Sequence, residues 1–291
     1  MNKKWFLALL LGVILVVAAA CGGSSDDGNA DANNNANNNE NNADNTDNAN
    51  NDDANNNNDG DDDGTVYSVA TDNAYVPFEY LDEETGELVG FDVDLITALA
   101  EEAGIEIEIE TLEFSGIVAG LGSGKFDIGI AGMTITEERA ESIDFTQPYY
   151  EAGLILAVTE DKLDEIQSID DVDGKVVATR VGSTSEEYLK DNTDATPEAF
   201  PEIVEAYQNV LSGRADAVLY DLPNVLYYSE KEAGGELVTV GEKLTGEDYG
   251  IGFPKGSELR DKIDDALTTL KENGTYDDIY EKWFGERPEG T

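Results

Sequence analysis

Gly132, Thr134 and Arg139 close the stretch FSGIVAGLGSGKFDIGIAGMTITEER, residues 114–139, and together they could hold an anion. A guanidinium offers paired donors in a fixed plane, which suits a carboxylate, and a hydroxyl with backbone amides beside it adds neutral donors. Gly182, Ser183 and Thr184 form a second such group, with hydroxyls at a predicted helix start where the partial positive charge favours an anion. Each also has a plainer use. Arg139 lies between Glu138 and Glu141, as a solvated helix arginine would, and Ser183 or Thr184 could be an ordinary N-cap.

Positioning these groups requires an open α/β sheet, in which ligands bind beyond the carboxyl ends of the strands. The pattern over residues 114–139 predicts a helix, a Gly turn, an apolar strand at 126–131, and a new helix opening at Thr136 that carries Arg139 one turn in. From Thr65 onward strands alternate with helices, which implies α/β architecture. Val93, Ile96, Leu99, Ala100 and Ala103 recur at helical spacing over residues 92–103, and IEIEIE at 105–110 alternates as a strand with one wet face. Further strands are predicted at 66–70, 151–159, 175–180 and 249–253, and helices at 201–211, 223–231, 257–272 and 276–284. SGKFD at 123–127 and SGRAD at 212–216 each follow a helix and precede an apolar strand. This weak repeat suggests two related βα units facing one another across a cleft.

The 291 residues can hold one large or two ordinary domains, but the first 64 do not read as fold. Lys3 and Lys4 precede an apolar run and the small residues Ala18 to Ala20, a secretory signal layout. Cys21, the only cysteine, follows directly, so no disulfide can stabilise the protein. The next 43 residues are nearly all Asn, Asp, Ala and Gly, cannot offset ordering entropy, and read as a disordered tether. Such a coil spans on the order of 35 Å. From Thr65 onward 52 acidic residues face 15 basic ones, a net of −37, which repels nucleic acid and anionic lipid.

GFDVDLITALAEEA, residues 90–103, resembles residue for residue the signature of family 3 extracellular solute-binding proteins, the polar amino-acid receptors of ABC importers. The likeness continues through VATDNAYVPFEY, FSGIVAGL, AGMTITEERAESIDFTQPYY, DGKVVATRVGST, GRADAVLYDLPNVLYY, YGIGFPKGSELRDKI and ENGTYDDIYEKWFG, nearly all of residues 65–288, and is greatest to glutamine-binding proteins. Cys21 resembles the lipid-modified cysteine of bacterial lipoproteins, although Ala18 stands where Leu is usual.

The resemblance implies an α/β, two-lobed periplasmic-binding-protein fold with two hinge strands. Residues 1–20 would be the lipoprotein signal peptide and 21–64 the tether. Lobe 1 would comprise 65–148 and 250–291, lobe 2 residues 154–244, and the hinge 149–153 and 245–249. It implies a monomeric receptor, lipid-anchored through Cys21 on the extracytoplasmic face of a bacterial membrane. The receptor would deliver an amino acid to an ABC permease and its ATPase, with no cofactor or metal.

By position in the family, Arg139, Thr134 and the helix start at Thr184 would take the ligand carboxylate and Asp221 its ammonium. Tyr75 and Phe114 would sandwich its aliphatic part, and backbone groups at Gly132 would also bind it. Asp72, Arg180 and Tyr220 would face its side chain. Glutamine receptors have lysine at the position of Arg180 and histidine at that of Tyr220. Glutamine is the first expectation, glutamate if Arg180 dominates, a basic amino acid if Asp72 does. An enzyme resembling cyclohexadienyl dehydratases is the rival reading, with Glu113 the nearest idle acid or base.

Overall fold

The computed structural model describes residues 64–288; the signal layout, Cys21 and the predicted tether up to residue 63 lie outside the described residues. Two five-stranded sheets share one layout. The first runs in the order Glu106–Thr111, Val66–Thr71, Ile128–Gly129, Gly252–Pro254, Ile143–Phe145. The second runs Thr196–Phe200, Val176–Arg180, Ala217–Asp221, Leu154–Thr159, Leu237–Val240. In each, the first three strands are parallel and the fourth is antiparallel to both its neighbours.

That fourth strand is in each case the one that has just crossed from the other lobe. The chain leaves lobe 1 through Tyr150–Ala152 and returns through Glu247–Tyr249, and these two segments pair antiparallel as a hinge ribbon. The protein therefore has a two-lobed α/β fold with hinge strands joining the sheets.

The repeated Asp residues have matching roles. Asp127 accepts from the Ser68 N–H at 2.9 Å and donates its own N–H to the Ser68 carbonyl. Asp216 makes the same pair of bonds with Val176. Each ties the third strand of its sheet to the start of the second, so the carboxyl ends of both sheets are set in register and converge on the cleft.

Several elements differ from expectation. The predicted strand at 151–159 is two strands broken at Gly153, where an added Cβ would lie 2.2 Å from the Thr245 carbonyl of the returning segment. Only Ile128–Gly129 of the run at 126–131 joins the ladder. Thr196–Phe200 and Leu237–Val240 are strands that periodicity did not predict. Both are sheet edges, where Pro197 is tolerated because one side of the strand needs no partner.

Lobe 1 packs the helix Phe91–Ala103 against the helices Glu258–Asn273 and Thr275–Phe284, with Phe91, Leu95, Ile96 and Leu99 fully buried. Phe78, Tyr150, Tyr249 and Phe284 add edge-on and stacked rings beside the hinge, at centroid distances of 5.0 to 5.6 Å. Aromatic pairs with such geometry contribute about 0.5–1.5 kcal/mol each beyond their buried area, so the ribbon has a rigid base on its lobe 1 side. Among the described residues, no helix is long and apolar enough to cross a membrane, and no group of side chains could hold a metal ion.

Candidate functional site

Arg139 lies in the first turn of the helix Glu137–Ser142, whose N-cap, Thr136, accepts the Arg139 N–H with its hydroxyl at 3.1 Å. The cap fixes the backbone from which the guanidinium reaches into the cleft. Nη1 donates to the Thr134 carbonyl at 2.7 Å, and Nη2 donates to the Gly182 carbonyl of lobe 2 at 3.1 Å. The side chain is buried, which pulls its pKa down from the usual arginine value, while the charges of Glu187, Asp221 and Glu247 push it back. Its hydrogen bonds go to carbonyls of both lobes rather than to a carboxylate.

Asp221 ends the strand Ala217–Asp221 and opens the helix Leu222–Lys231. Its Oδ2 accepts from the Tyr75 phenol at 2.9 Å and also from the Tyr249 phenol, so neither uses the other carboxylate oxygen. Burial first, then the charge of Glu247, push the Asp221 carboxyl up to about 7, against the opposing pull of the two phenols and Arg139. Tyr75 is thereby a partner of Asp221 from across the cleft.

Phe114, Gly132, Thr134, Arg139, Thr184, Tyr220 and Asp221 line a single cavity between the lobes, with Ala131 and Ser183 completing its wall; in this closed arrangement it is all but filled, with about 10 Å³ free, room for about one water. The Phe114 ring lies 5.4 Å from the Arg139 guanidinium carbon and 5.1 Å from that of Arg180, within range of cation–π attraction to both. Gly132 must be glycine: its φ is +51°, and a Cβ would come 2.2 Å from the Tyr75 ring. Its N–H donates to Asp92 Oδ2 at 2.8 Å, the same oxygen that accepts from the Tyr149 phenol at 2.8 Å.

Asp72, Tyr75 and Arg180 do not line the cavity. Asp72 of lobe 1 and Arg180 of lobe 2 form an ion pair of 2.6 Å, both side chains 1% exposed. Arg180 Nε also donates to the Pro201 carbonyl at 3.1 Å, and Glu202 lies 3.4 Å from its Nη2. Burial opposes the charge on Arg180, but Tyr220, Asp72 and Glu202 together hold its pKa above the usual arginine value. Two of the three residues expected at the ligand's side chain are therefore joined to each other, and the third, Tyr220, lines the cavity.

Sequence reasoning missed Glu247 and Tyr249, the two ends of the returning hinge strand, and Asp92. Glu247 Oε2 accepts the Thr134 hydroxyl at 3.0 Å and the Thr184 hydroxyl at 2.9 Å, one from each lobe. Nothing in the local pattern of TGEDYG marks an acidic residue as buried; only the return of the chain through the cleft does so.

The model of the bacterial extracellular solute-binding proteins, family 3, matches residues 67–286. The chain belongs to this family. Its members are non-catalytic solute-binding receptors that work outside the cytoplasm, so this protein is a receptor and not an enzyme. Among its relatives is the arginine-binding extracellular protein ArtP of Bacillus subtilis (strain 168), 34% identical over 224 residues that cover 75% of this chain and 86% of the relative. Two solved structures of an ancestral arginine-binding protein are also similar. The one bound to glutamine is 44% identical with a TM-score of 0.72, covering 76% of this chain and 98% of that one. The one bound to arginine is 43% identical with a TM-score of 0.71, covering 75% and 98%.

Proposed function

We propose that this protein is an extracytoplasmic amino-acid receptor of an ABC import system, with glutamine as its first ligand. One observation carries the reading. A buried guanidinium, Arg139, and a buried carboxylate, Asp221, line the same small cavity, and their hydrogen bonds go to carbonyls and phenols rather than to each other. Opposed charges at fixed separation are what an α-amino acid zwitterion demands, since either charge buried unpaired costs several kcal/mol, roughly.

Arg139 would take the α-carboxylate with help from Thr134 and the helix start at Thr184, and Asp221 the ammonium. Gly132 and the ring of Phe114 would enclose the aliphatic part, with Tyr75 packed behind Gly132. The Asp72–Arg180 pair, buried outside the closed cavity, would have to part for a ligand; it would then offer one acceptor and one donor, neutral together, which suits the amide of glutamine better than a charged side chain. Tyr220, beside Arg180, would complete that end. The ligand would close the lobes, and a permease with its ATPase would read the closed form. Cys21 would carry a lipid anchor, and the receptor would act as a monomer.

A basic ligand is the second reading, favoured by the ancestral arginine-binding protein whose structures hold glutamine in one case and arginine in the other. Calorimetric titration of the refolded protein with the twenty amino acids decides between them. Tight, selective heat with glutamine supports the first reading, tight heat with arginine the second, and silence with all twenty overturns both. Intact-mass measurement of the membrane-extracted protein and its Cys21→Ser variant tests the anchor.

A further inference from the structure

We propose that Glu247 is an internal competitor for the ligand's α-carboxylate: from the hinge, it takes the hydroxyl protons of Thr134 and Thr184 and so clasps the two lobes. The inference rests on the amino-acid reading of the cavity and deepens it. A hydroxyl has one proton to donate. Thr134 gives its proton to Glu247 Oε2 at 3.0 Å and Thr184 gives its own to the same oxygen at 2.9 Å, so in this arrangement both offer only lone pairs to the cavity they line. A carboxylate cannot be held by lone pairs. For an α-carboxylate to use either threonine, that hydroxyl must turn away from Glu247.

The placement of Glu247 fits this exchange. It is a buried residue of the strand Glu247–Tyr249, and Oε1 is steadied by the Thr245 hydroxyl at 3.1 Å. Thr134 belongs to lobe 1, and Thr184 begins the lobe 2 helix Thr184–Asn192. A single carboxylate oxygen thus bridges the lobes from the hinge that joins them. Its field reaches both charged ends of the site, favouring the charged form of Arg139 and disfavouring that of Asp221. A ligand carboxylate arriving beside Arg139 meets that same negative charge. Glu247 therefore sets a threshold: closure without ligand is supported by the clasp, and closure on ligand must replace it.

The test compares the full chain with its Glu247→Gln and Glu247→Ala variants, each refolded from denaturant to strip carried-over amino acid. L-glutamine and L-arginine are titrated by calorimetry. In parallel, spin labels at Lys255 of lobe 1 and Lys190 of lobe 2, in a Cys21→Ser background, report the interlobe distance without added amino acid. Glutamine replacement keeps the shape and removes the charge, so Glu247→Gln is expected to bind the amino acid about tenfold more tightly, a typical coupling between linked sites. Glu247→Ala, which also removes the clasp, is expected to shift the distance distribution toward a longer, open separation. Unchanged or weaker binding in the Gln variant, together with unchanged distances in the Ala variant, overturns the proposal. If the parent chain binds none of the twenty amino acids but Glu247→Ala still opens, the amino-acid reading falls and the clasp stands. Should Glu247→Ala fail to fold, Thr184→Val removes the lobe 2 half of the same clasp, and an unopened distance there overturns it equally.

Discussion

Asp221 is a carboxyl whose ionisation decides whether it can hold an ammonium. Burial and the nearby Glu247 push it up to about 7. Below that pH the proton it carries must leave before an ammonium can pair with it. Affinity should therefore fall as pH drops, by about tenfold between pH 8 and pH 6 from the change in ionised fraction. Calorimetry across that range checks this, and an affinity flat with pH would show that Asp221 is not the partner. The same shift acts on stability. Because the folded value is above the unfolded one, the native state binds more protons between about pH 4 and pH 7, so this group's contribution declines as pH rises through that window. Asp221→Asn should remove that component, making the melting temperature of stripped protein less dependent on pH than in the parent. Asp221→Ala should weaken amino-acid binding by about 2–5 kcal/mol, because it leaves a buried ammonium unpaired. Arg180 is a matching case on the neighbouring strand of the same lobe. Arg180→Ala leaves Asp72 buried without its counter-charge, and the closed form should lose about 3–5 kcal/mol, measured as a longer interlobe distance and a lower unfolding midpoint.

At the scale of elements, the bend after Ile128–Gly129 is what brings the site together, and Gly132 is its least replaceable residue. Gly132→Ala puts a side chain at φ +51° and into the Tyr75 ring, whose phenol supports Asp221. We expect a loss of about 2 kcal/mol in urea unfolding and weaker ligand binding from the same substitution. How legible such elements were depended on how local their cause is. The helix Phe91–Ala103 follows from apolar spacing and from Gly104, whose left-handed φ of 63° closes it. The Thr136 cap follows from the residues beside it. The paired roles of Asp127 and Asp216 were visible as a repeat, because a strand-to-strand tie needs the same short polar residue in the same place. The edge strand Thr196–Phe200 was not visible, since Pro197 argues against a strand unless the sheet position is already known. Seven of the ten expected site residues line one cavity, but the sequence could not show that Asp72 and Arg180 meet across the cleft. Nor could it show that Glu247 is buried with a threonine from each lobe, for that depends on the chain crossing the hinge twice.

For the whole molecule the governing quantity is charge. From Thr65 onward the net is −37, and closing the lobes brings two acidic bodies together. Repulsion among exposed carboxylates is long-ranged in dilute buffer and falls off within about 10 Å at 0.1 M salt. The attractive charges that join the lobes behave differently: the Asp72–Arg180 pair is 1% exposed on both sides, and a buried pair is screened far less than a surface. Added salt should thus remove much of the repulsion and little of the attraction. We expect the melting temperature of the stripped protein to rise steadily from 0.05 to 2 M sodium chloride, roughly the span over which the Debye length shrinks to a few ångströms, and the closed interlobe distance to become more populated over the same range. Comparing sodium chloride with sodium sulfate at equal ionic strength separates screening from the general strengthening of apolar burial, which sulfate produces and chloride does not. A stability that does not change with sodium chloride would mean that the acidic surface is already compensated within the fold.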